Sequence, residues 1–480
     1  VTAPSRRRRI LILAICCMSL LIVGLDNTIV NVALPAIERD LHAPVSGMQW
    51  TVDAYILVLA GLLLLSGSTA DRIGRRRTFQ LGLVIFAVGS LLCGLAPSLG
   101  WLIAFRVLQA IGGSMLNPVA MSIITNTFTD PRERARAIGL WGGVVGVSMA
   151  LGPVVGGALV DTSDWRAIFW INVPVAIAAI VLTALFVPES RAPHPRRVDP
   201  VGQVLVILAL GSLTYGIIEA PGLGLGSPLI IASFAVAAAA IAGFVAYEPR
   251  RREPLIDLRF FRSAPFSGAS AIALCVFAAF GGFLFLNTLY LQDVRGLSPL
   301  SAGLCTLPIA AMTVIFAPLS GKLVGDRGPR TPLVVAGAGI CAGGLMLTPL
   351  TAHTPLPWLL AGYAVFGLGF AMANAPITNT AVSGMPRAQA GVAAAIASTG
   401  RQVGQSFGVA IAGSVLASGM AGSPGAGFAH ASRAGWWIVA GYGALVLVLG
   451  LLTTGRWAKA TAERTASCLV ADGARPQAVS

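Results

Sequence analysis

Residues 10–35 read ILILAICCMSLLIVGLDNTIVNVALP, an apolar stretch interrupted by one ionisable residue, Asp26. Roughly 20 such residues carry a helix across about 30 Å of hydrocarbon, so this stretch is long enough to span a bilayer. Arg6 to Arg9 precede it, an order that also begins secretory signals. The run continues past Asp26 to Pro35 without a small-residue cleavage site, so it reads as a retained first span. With the first run set at 10–34, further apolar runs lie at 49–69, 78–96, 100–124, 136–160, 167–187, 201–219, 228–247, 266–291, 299–324, 331–350, 356–380, 390–419 and 434–455. That gives fourteen candidate spans. Glycine is dense in 299–324 and 390–419, which makes those two the runs most open to interruption.

Composition agrees. The chain is 56% hydrophobic and only 11% charged, against about 25% charged residues in soluble domains. The expected fold class is an all-α polytopic membrane protein. Its net charge of +14 does not call for nucleic acid, because the basic residues sit in short connections between apolar runs, where membrane topology explains them. With the amino end inside, the inner connections hold 27 of the 33 basic residues and the outer ones only Arg39, Arg166, Arg295 and Arg433. That asymmetry predicts both termini in the cytoplasm and a multi-pass protein of the plasma membrane.

An internal repeat divides the chain. Gly67-Ser-Thr-Ala-Asp71-Arg72-Ile-Gly74-Arg75-Arg76 follows the second run, and Gly321-Lys322-Leu-Val-Gly325-Asp326-Arg327-Gly328-Pro329-Arg330 follows the tenth. The spacing suits two six-span bundles, 1–190 and 263–480, the latter with a cytoplasmic tail, separated by a linker region 191–262 with two additional spans. Repeated bundles with a site between them are a common transporter architecture.

Ionisable groups inside spans cost several kcal/mol unless paired or hydrated, so each is a candidate functional residue. They are Asp26, Asp53, Arg106, Glu219 and Arg401. Asp26 and Val30 share one helical face, as do Asn27 and Asn31, which predicts a hydrated cavity along this end of the first span. A carboxylate there is neutralised by desolvation or held charged by a nearby cation, and a proton can bias a conformation through that change; a hydrogen-bonded cap is the alternative. Asp53 stands early in its span as a proton or substrate residue. Arg106 cannot itself release a proton but can govern a carboxylate that does, or form a purely structural ion pair. Arg401 reads as a pairing or hydrogen-bonding group of the second bundle, and Glu219 as a solvated span end.

Two patterns add to these. Ser148, Gly152 and Gly156 recur every four residues beside Pro153 and Gly157, a bare stripe for close helix packing combined with a proline hinge. Gly67, Asp71 and Gly74 among Arg72, Arg75, Arg76 and Arg77 suit a tight loop whose carboxylate pairs in one conformation only, a cytoplasmic latch.

On these residues the chain resembles the major facilitator superfamily, and within it the fourteen-span drug:proton antiporter family. Leu25 to Pro35 is similar to that family's first-span signature, Gly67 to Arg77 to its cytoplasmic loop motif, Arg106 to Gly112 to its fourth-span motif, and Gly152 to Gly157 to its antiporter motif. Asp164 to Pro174 resembles its connection between the fifth and sixth spans. Ala110 and Ser148 stand where glycines are usual. Gly325 occupies the usual aspartate position of the second-half loop, with Asp326 displaced by one, which weakens a symmetric second latch. The resemblance implies a major-facilitator-like fold and alternating access, with protons moving inward as a small drug-like molecule moves out. Antibiotic-resistance exporters of actinomycetes look most similar. A nutrient or metabolite importer of the same superfamily stays open, since the loop motif sets no direction, although the antiporter motif favours export.

Other classes find less support. Cys16, Cys17, Cys93, Cys275, Cys305 and Cys341 lie in apolar runs without metal-ligand spacing, and His42, His194, His353 and His430 are scattered, so neither a metal site nor an enzyme is expected. No Gly-x-x-x-x-Gly-Lys-Ser/Thr motif occurs, so the sequence implies no ATP and no cofactor. The expected partners are a small-molecule substrate, protons and membrane lipid, not nucleic acid.

Overall fold

The computed structural model describes residues 5–191, 199–251, 254–383, 385, 390–420 and 426–473. Arg196, Arg197, Arg252, Arg387, Arg475 and His194 lie outside the described residues. The first part of the chain forms α1 (Arg6–Leu41), α2 (Val45–Ile73), α3 (Arg75–Gly94), α4 (Leu99–Thr127), α5 (Pro131–Thr162), α6 (Ala167–Trp170) and α7 (Asn172–Phe186). A hairpin follows, α8 (Pro200–Leu223) and α9 (Pro228–Tyr247). The second part comprises α10 (Ala264–Leu289), α11 (Pro299–Cys305), α12 (Leu307–Arg327), α13 (Arg330–Leu347), α14 (Leu356–Val382), α15 (Ala390–Met420), α16 (Ala426–Leu452) and α17 (Arg456–Gly473).

Local chemistry sets several of these boundaries. Asp130 accepts from the backbone N–H groups of Arg132 and Glu133 and so caps α5, with Pro131 at the first helical position; Asp199 and Pro200 open α8 in the same way. Both pairs fit the helix start, where a side-chain acceptor is needed and the missing proline N–H is no loss. The run 299–324 is interrupted, as its glycines suggested, but the break falls at Thr306, where Pro308 cannot donate to the Leu304 carbonyl. Pro174 likewise cannot serve Trp170, and α6 parts from α7 there. By contrast, 390–419 lies within one helix, α15.

Thirteen helical stretches among the described residues are long and apolar enough to cross a membrane. The expected fifth run, 136–160, lies within α5, a helix of 32 residues.

The repeat seen in the loops extends to the packing. In the first bundle α1 packs on α4, α5 and α7, α4 on α2 and α3, and α3 on α7. In the second, α10 packs on α14, α15 and α16, α14 on α12 and α13, and α13 on α16. The bundles meet along α2 with α15 and along α5 with α11 and α12. The α8–α9 hairpin leans on α2 and α15 and exposes Val204, Ile207, Leu229, Ile231 and Val245, as a lipid-facing surface does. Among the described residues the arginine-rich connections fall at one end of the molecule, the basic end. There α17 buries Ala458, Ala462 and Leu469, and the Thr461 hydroxyl accepts from the first amide of α10.

Candidate functional site

Asp26 and Arg106, placed by sequence on separate spans with no distance between them, touch. Arg106 Nη1 donates to Asp26 Oδ2 at 2.5 Å, and both side chains are essentially inaccessible, at 1% and 0% exposure. Charge-assisted bonds of this kind are the stronger class. Asp26 Oδ1 accepts from Gln109 Nε2 at 2.8 Å and from Asn172 Nδ2 at 3.0 Å. Arg106 also donates to the Thr51 carbonyl at 3.1 Å and to Gln109 Oε1 at 2.7 Å. Its guanidinium lies 4.1 Å from the centre of the Tyr55 ring, close enough for a cation–π contact. Gln109 reaches further, donating to Ser90 Oγ at 2.7 Å. The network therefore joins α1, α2, α3, α4 and α7 inside one bundle.

This corrects one expectation. The hydrated cavity predicted along Asp26 is not there: Asp26, Thr28, Val30 and Asn31 are all buried, because α4 and α7 supply polar partners in place of water. Asn27 turns toward the other bundle, donating to Gln405 Oε1 at 3.5 Å. Gln109 and Asn172 escaped sequence reading because neutral polar residues carry no cost signal comparable with a charge. The spacing of Gln109, three residues after Arg106, puts both on one helical face and was the available clue.

Asp53 is fully buried on α2. Its polar neighbour is Ser406 on α15, yet neither carboxylate oxygen nor Ser406 Oγ completes a hydrogen bond among the described residues. It thus sits at the seam between bundles rather than in the Asp26 network. Arg401 is elsewhere again, donating to the Thr378 hydroxyl with its guanidinium 6.0 Å from the Phe277 ring centre. Glu219 is no solvated end: it accepts from Trp50 Nε1 at 2.8 Å, tying α8 to α2.

The arginine-rich motif is less a loop than a helix end. Gly67, Asp71 and Arg72 all belong to α2, and Gly74 alone separates it from α3, which begins at Arg75. With φ at 123°, Gly74 occupies a region open to glycine. Asp71, unfavourably placed at a helix C-terminus, is offset by Arg75, whose Nη2 lies 2.9 Å away. Glu189, not singled out by sequence, accepts from the backbone N–H groups of Arg76 and Arg77 at 3.1 and 3.3 Å. Arg76 Nη2 also reaches the Ala184 carbonyl at 2.6 Å. In the second half Gly328 repeats the left-handed turn at φ 82°.

The small-residue stripe of α5 faces α1. A Cβ on Gly152 would meet Thr28, and one on Gly156 would lie 2.7 Å from the Ile29 side chain. Pro153 and Gly157 face α11: a Cβ on Gly157 would sit 2.7 Å from Leu300 Cα, and Gly303 presses on Pro153. Ser148 is buried against Gly24.

These contacts close the bundles at the end opposite the basic one. Asp161 accepts from the Leu300 amide at 3.0 Å, Gln292 donates to the Val32 carbonyl at 2.8 Å, and Gln49 donates to the Ala410 carbonyl at 2.7 Å. A small pocket lined by Asn31, Pro153, Asn287, Thr288 and Thr306 lies beneath this closure. Toward the basic end the glycines of the facing helices, Gly139 and Gly143 on α5 and Gly321 and Gly325 on α12, have nothing within 4 Å of a built Cβ. The close contacts between α5 and α11 thus lie at the end opposite the basic one.

A family model described as the Major Facilitator Superfamily matches residues 16–409. Among curated relatives, "Multidrug resistance protein Stp" of Mycobacterium tuberculosis is 38% identical over 414 residues, covering 86% of this chain and 76% of that one. "Tetracenomycin C resistance and export protein" of Streptomyces glaucescens is 39% identical over 402 residues, covering 84% and 74%. "Puromycin resistance protein pur8" of Streptomyces alboniger is 36% identical over 400 residues, covering 82% and 79%. Among solved structures, a bacterial homologue of the human lysosomal transporter Spinster, in an inward-facing and unoccupied conformation, superposes with a TM-score of 0.66 at 19% identity, covering 98% of this chain and 99% of that one. With its repeated bundles and a family match over most of its length, the chain belongs to the Major Facilitator Superfamily.

Proposed function

We propose that this protein is a proton-coupled exporter of small drug-like molecules, lying in the plasma membrane with both termini cytoplasmic. Its bundles are 1–190 and 263–480, with 191–262 an insertion carrying two additional spans. The observation that carries the reading is the dry Asp26–Arg106 pair. A carboxylate and a guanidinium persist where charge is costly, and one of the two can exchange a proton. Asp26 is the proton-exchanging group, Arg106 its counter-charge, Gln109 and Asn172 its positioning donors, and Asp53 a second carboxyl at the bundle seam. Asp71, with Arg72, Gly74, Arg75 and Arg76, forms the latch at the basic end. Ser148, Gly152, Pro153, Gly156 and Gly157 form the surface on which α5 moves against α1 and α11. The relatives, named as resistance and export proteins for antibiotics, support export over import.

The test is efflux of puromycin and ethidium from proteoliposomes under an imposed pH gradient, with internal pH followed at the same time. Arg106→Ala should abolish gradient-driven efflux. Arg106→Lys should be defective as well, since an ammonium cannot reproduce a planar set of donors. Asp26→Asn should lose the response to the gradient. Normal coupled exchange in both Arg106→Ala and Asp26→Asn would move the proton site elsewhere.

A further inference from the structure

Arg401 is, unlike Arg106 beside Asp26, a span cation without a counter-charge among the described residues. Its Nη2 donates to the Thr378 hydroxyl, itself committed to the Asn374 carbonyl at 3.3 Å, and its Nε–H is buried without an acceptor. Among the described residues, four of the five donors of the guanidinium therefore have no partner. The surroundings are otherwise apolar and aromatic. Phe277 lies beneath the guanidinium at 6.0 Å and packs edge-on against Phe370 at 5.4 Å, which stacks on Phe280 at 4.4 Å.

The group is also reachable and rigidly placed. Arg401 is half-buried and Thr378 exposed. The neighbouring Gly404 presses α15 onto α10, where a Cβ would lie 2.8 Å from Leu274 Cα. The Arg401 backbone is thereby fixed against the helix that carries Phe277. An uncompensated cation in a span is costly, and a planar guanidinium over a ring is suited to a planar anion, which it holds with two parallel hydrogen bonds.

We propose that Arg401, with Phe277 and Thr378, is the substrate-binding subsite for the anionic group of small aromatic molecules, carboxylates foremost. The proposal rests on the exporter reading and deepens it: this subsite takes those cargo molecules whose planar aromatic body carries a negative charge. The anion binds the free guanidinium edge, and the ring system lies along the Phe277, Phe280 and Phe370 wall.

The test uses two fluorescent probes that differ in charge alone, anthracene-9-carboxylate and its methyl ester, titrated against full-length protein in nanodiscs. The wild type is expected to bind the carboxylate at least tenfold more tightly than the ester, about 1.4 kcal/mol. Arg401→Gln removes that preference and leaves ester affinity unchanged; Arg401→Lys keeps part of it. A wild-type ratio near one overturns the proposal, and so does an equal loss for both probes in Arg401→Gln. Should Arg401→Gln not fold, the wild-type ratio and a reduced ratio in Arg401→Lys decide, with an unreduced ratio in Arg401→Lys counting against the subsite. Efflux of the carboxylate probe, of puromycin and of ethidium by the wild type separates the two readings. Export without a carboxylate preference sinks only this inference, and a carboxylate preference without export of any compound sinks only the exporter reading.

Discussion

Replacing Asp26 and Arg106 singly and together should expose a strong energetic coupling, and the structure sets its size. Asp26→Asn leaves the guanidinium, 1% exposed, without a counter-charge; Arg106→Gln leaves the carboxylate in the same position. Removing one partner of a buried pair costs about 3–5 kcal/mol. The double variant leaves no buried charge, and the neutral amides keep donors and acceptors near Gln109, Asn172 and the Thr51 carbonyl. A neutral replacement of a buried pair is close to neutral in stability, so the double variant should be less destabilised than the two singles combined. Arg106→Gln also forfeits the contact over Tyr55, worth about 2 kcal/mol when desolvated. That loss is present in the double variant too and cancels from the coupling. The two singles together lose about 6–10 kcal/mol against a double variant near neutral, so the expected coupling is at least about 3 kcal/mol, the upper end for residues in contact, measured by reversible denaturation of the four proteins in mixed micelles. A value below about 0.5 kcal/mol, within the range of independent sites, would refute the claim that the two charges depend on each other.

Three further outcomes follow from other contacts. Gly74→Ala should cost about 1–3 kcal/mol, since φ of 123° is strained for any side chain and a Cβ would lie 2.6 Å from Glu189 Oε1; the same denaturation assay measures it. Asp71→Asn should change stability by no more than about 0.5 kcal/mol, the worth of an i,i+4 pair, yet slow transport in proteoliposomes; a normal rate would remove the latch. Single cysteines at Ser190 and Ser263, introduced after the seven native cysteines are replaced, should resist an impermeant thiol reagent in intact cells, and labelling of both from outside would overturn the proposed topology.

Much of the architecture was legible because charge and hydrocarbon are so different energetically. The long apolar runs became helices, 167–187 and 299–324 each in two pieces, and the described arginine clusters gathered at one end. Helix ends were less legible. The Gly67–Gly74 motif looked like a loop, since glycine and charge usually mark one, but α2 keeps its hydrogen bonds through Ile73 and turns on Gly74 alone. The site was half legible. Asp26 and Arg106 stood out by cost, whereas Gln109, Asn172 and Glu189 did not, because their importance lies in what they face across helices. The stripe Ser148, Gly152, Gly156 announced a close partner without saying which helix supplied it, and α1 is the answer.

Substituting Gly157 by leucine tests how α1 and α5 serve both the ion pair and the closed end. Asp26 belongs to the network within one bundle, while the next residue, Asn27, bonds Gln405 of the other, and Val32 takes the Gln292 hydrogen bond. Thr28 and Ile29, between them, are the side chains that Gly152 and Gly156 accommodate. A change at Asp26 that shifts α1 therefore acts on the bundle contacts and on α5 in one movement, and α5 carries the closure onward through Gly157 to Leu300. Leucine at 157 needs room where even a Cβ would lie 2.7 Å from Leu300 Cα, and the backbone there cannot yield without parting α5 from α11. The closed end should open while the Asp26–Arg106 pair, built from other helices, stays intact. The expected result is faster thiol labelling of a cysteine placed at Ser298, with the coupling energy of the ion pair unchanged. Unaltered labelling in a folded Gly157→Leu protein would show that the closure does not depend on this contact, and the path from α1 to the sealed end would have to run through Gln292 instead.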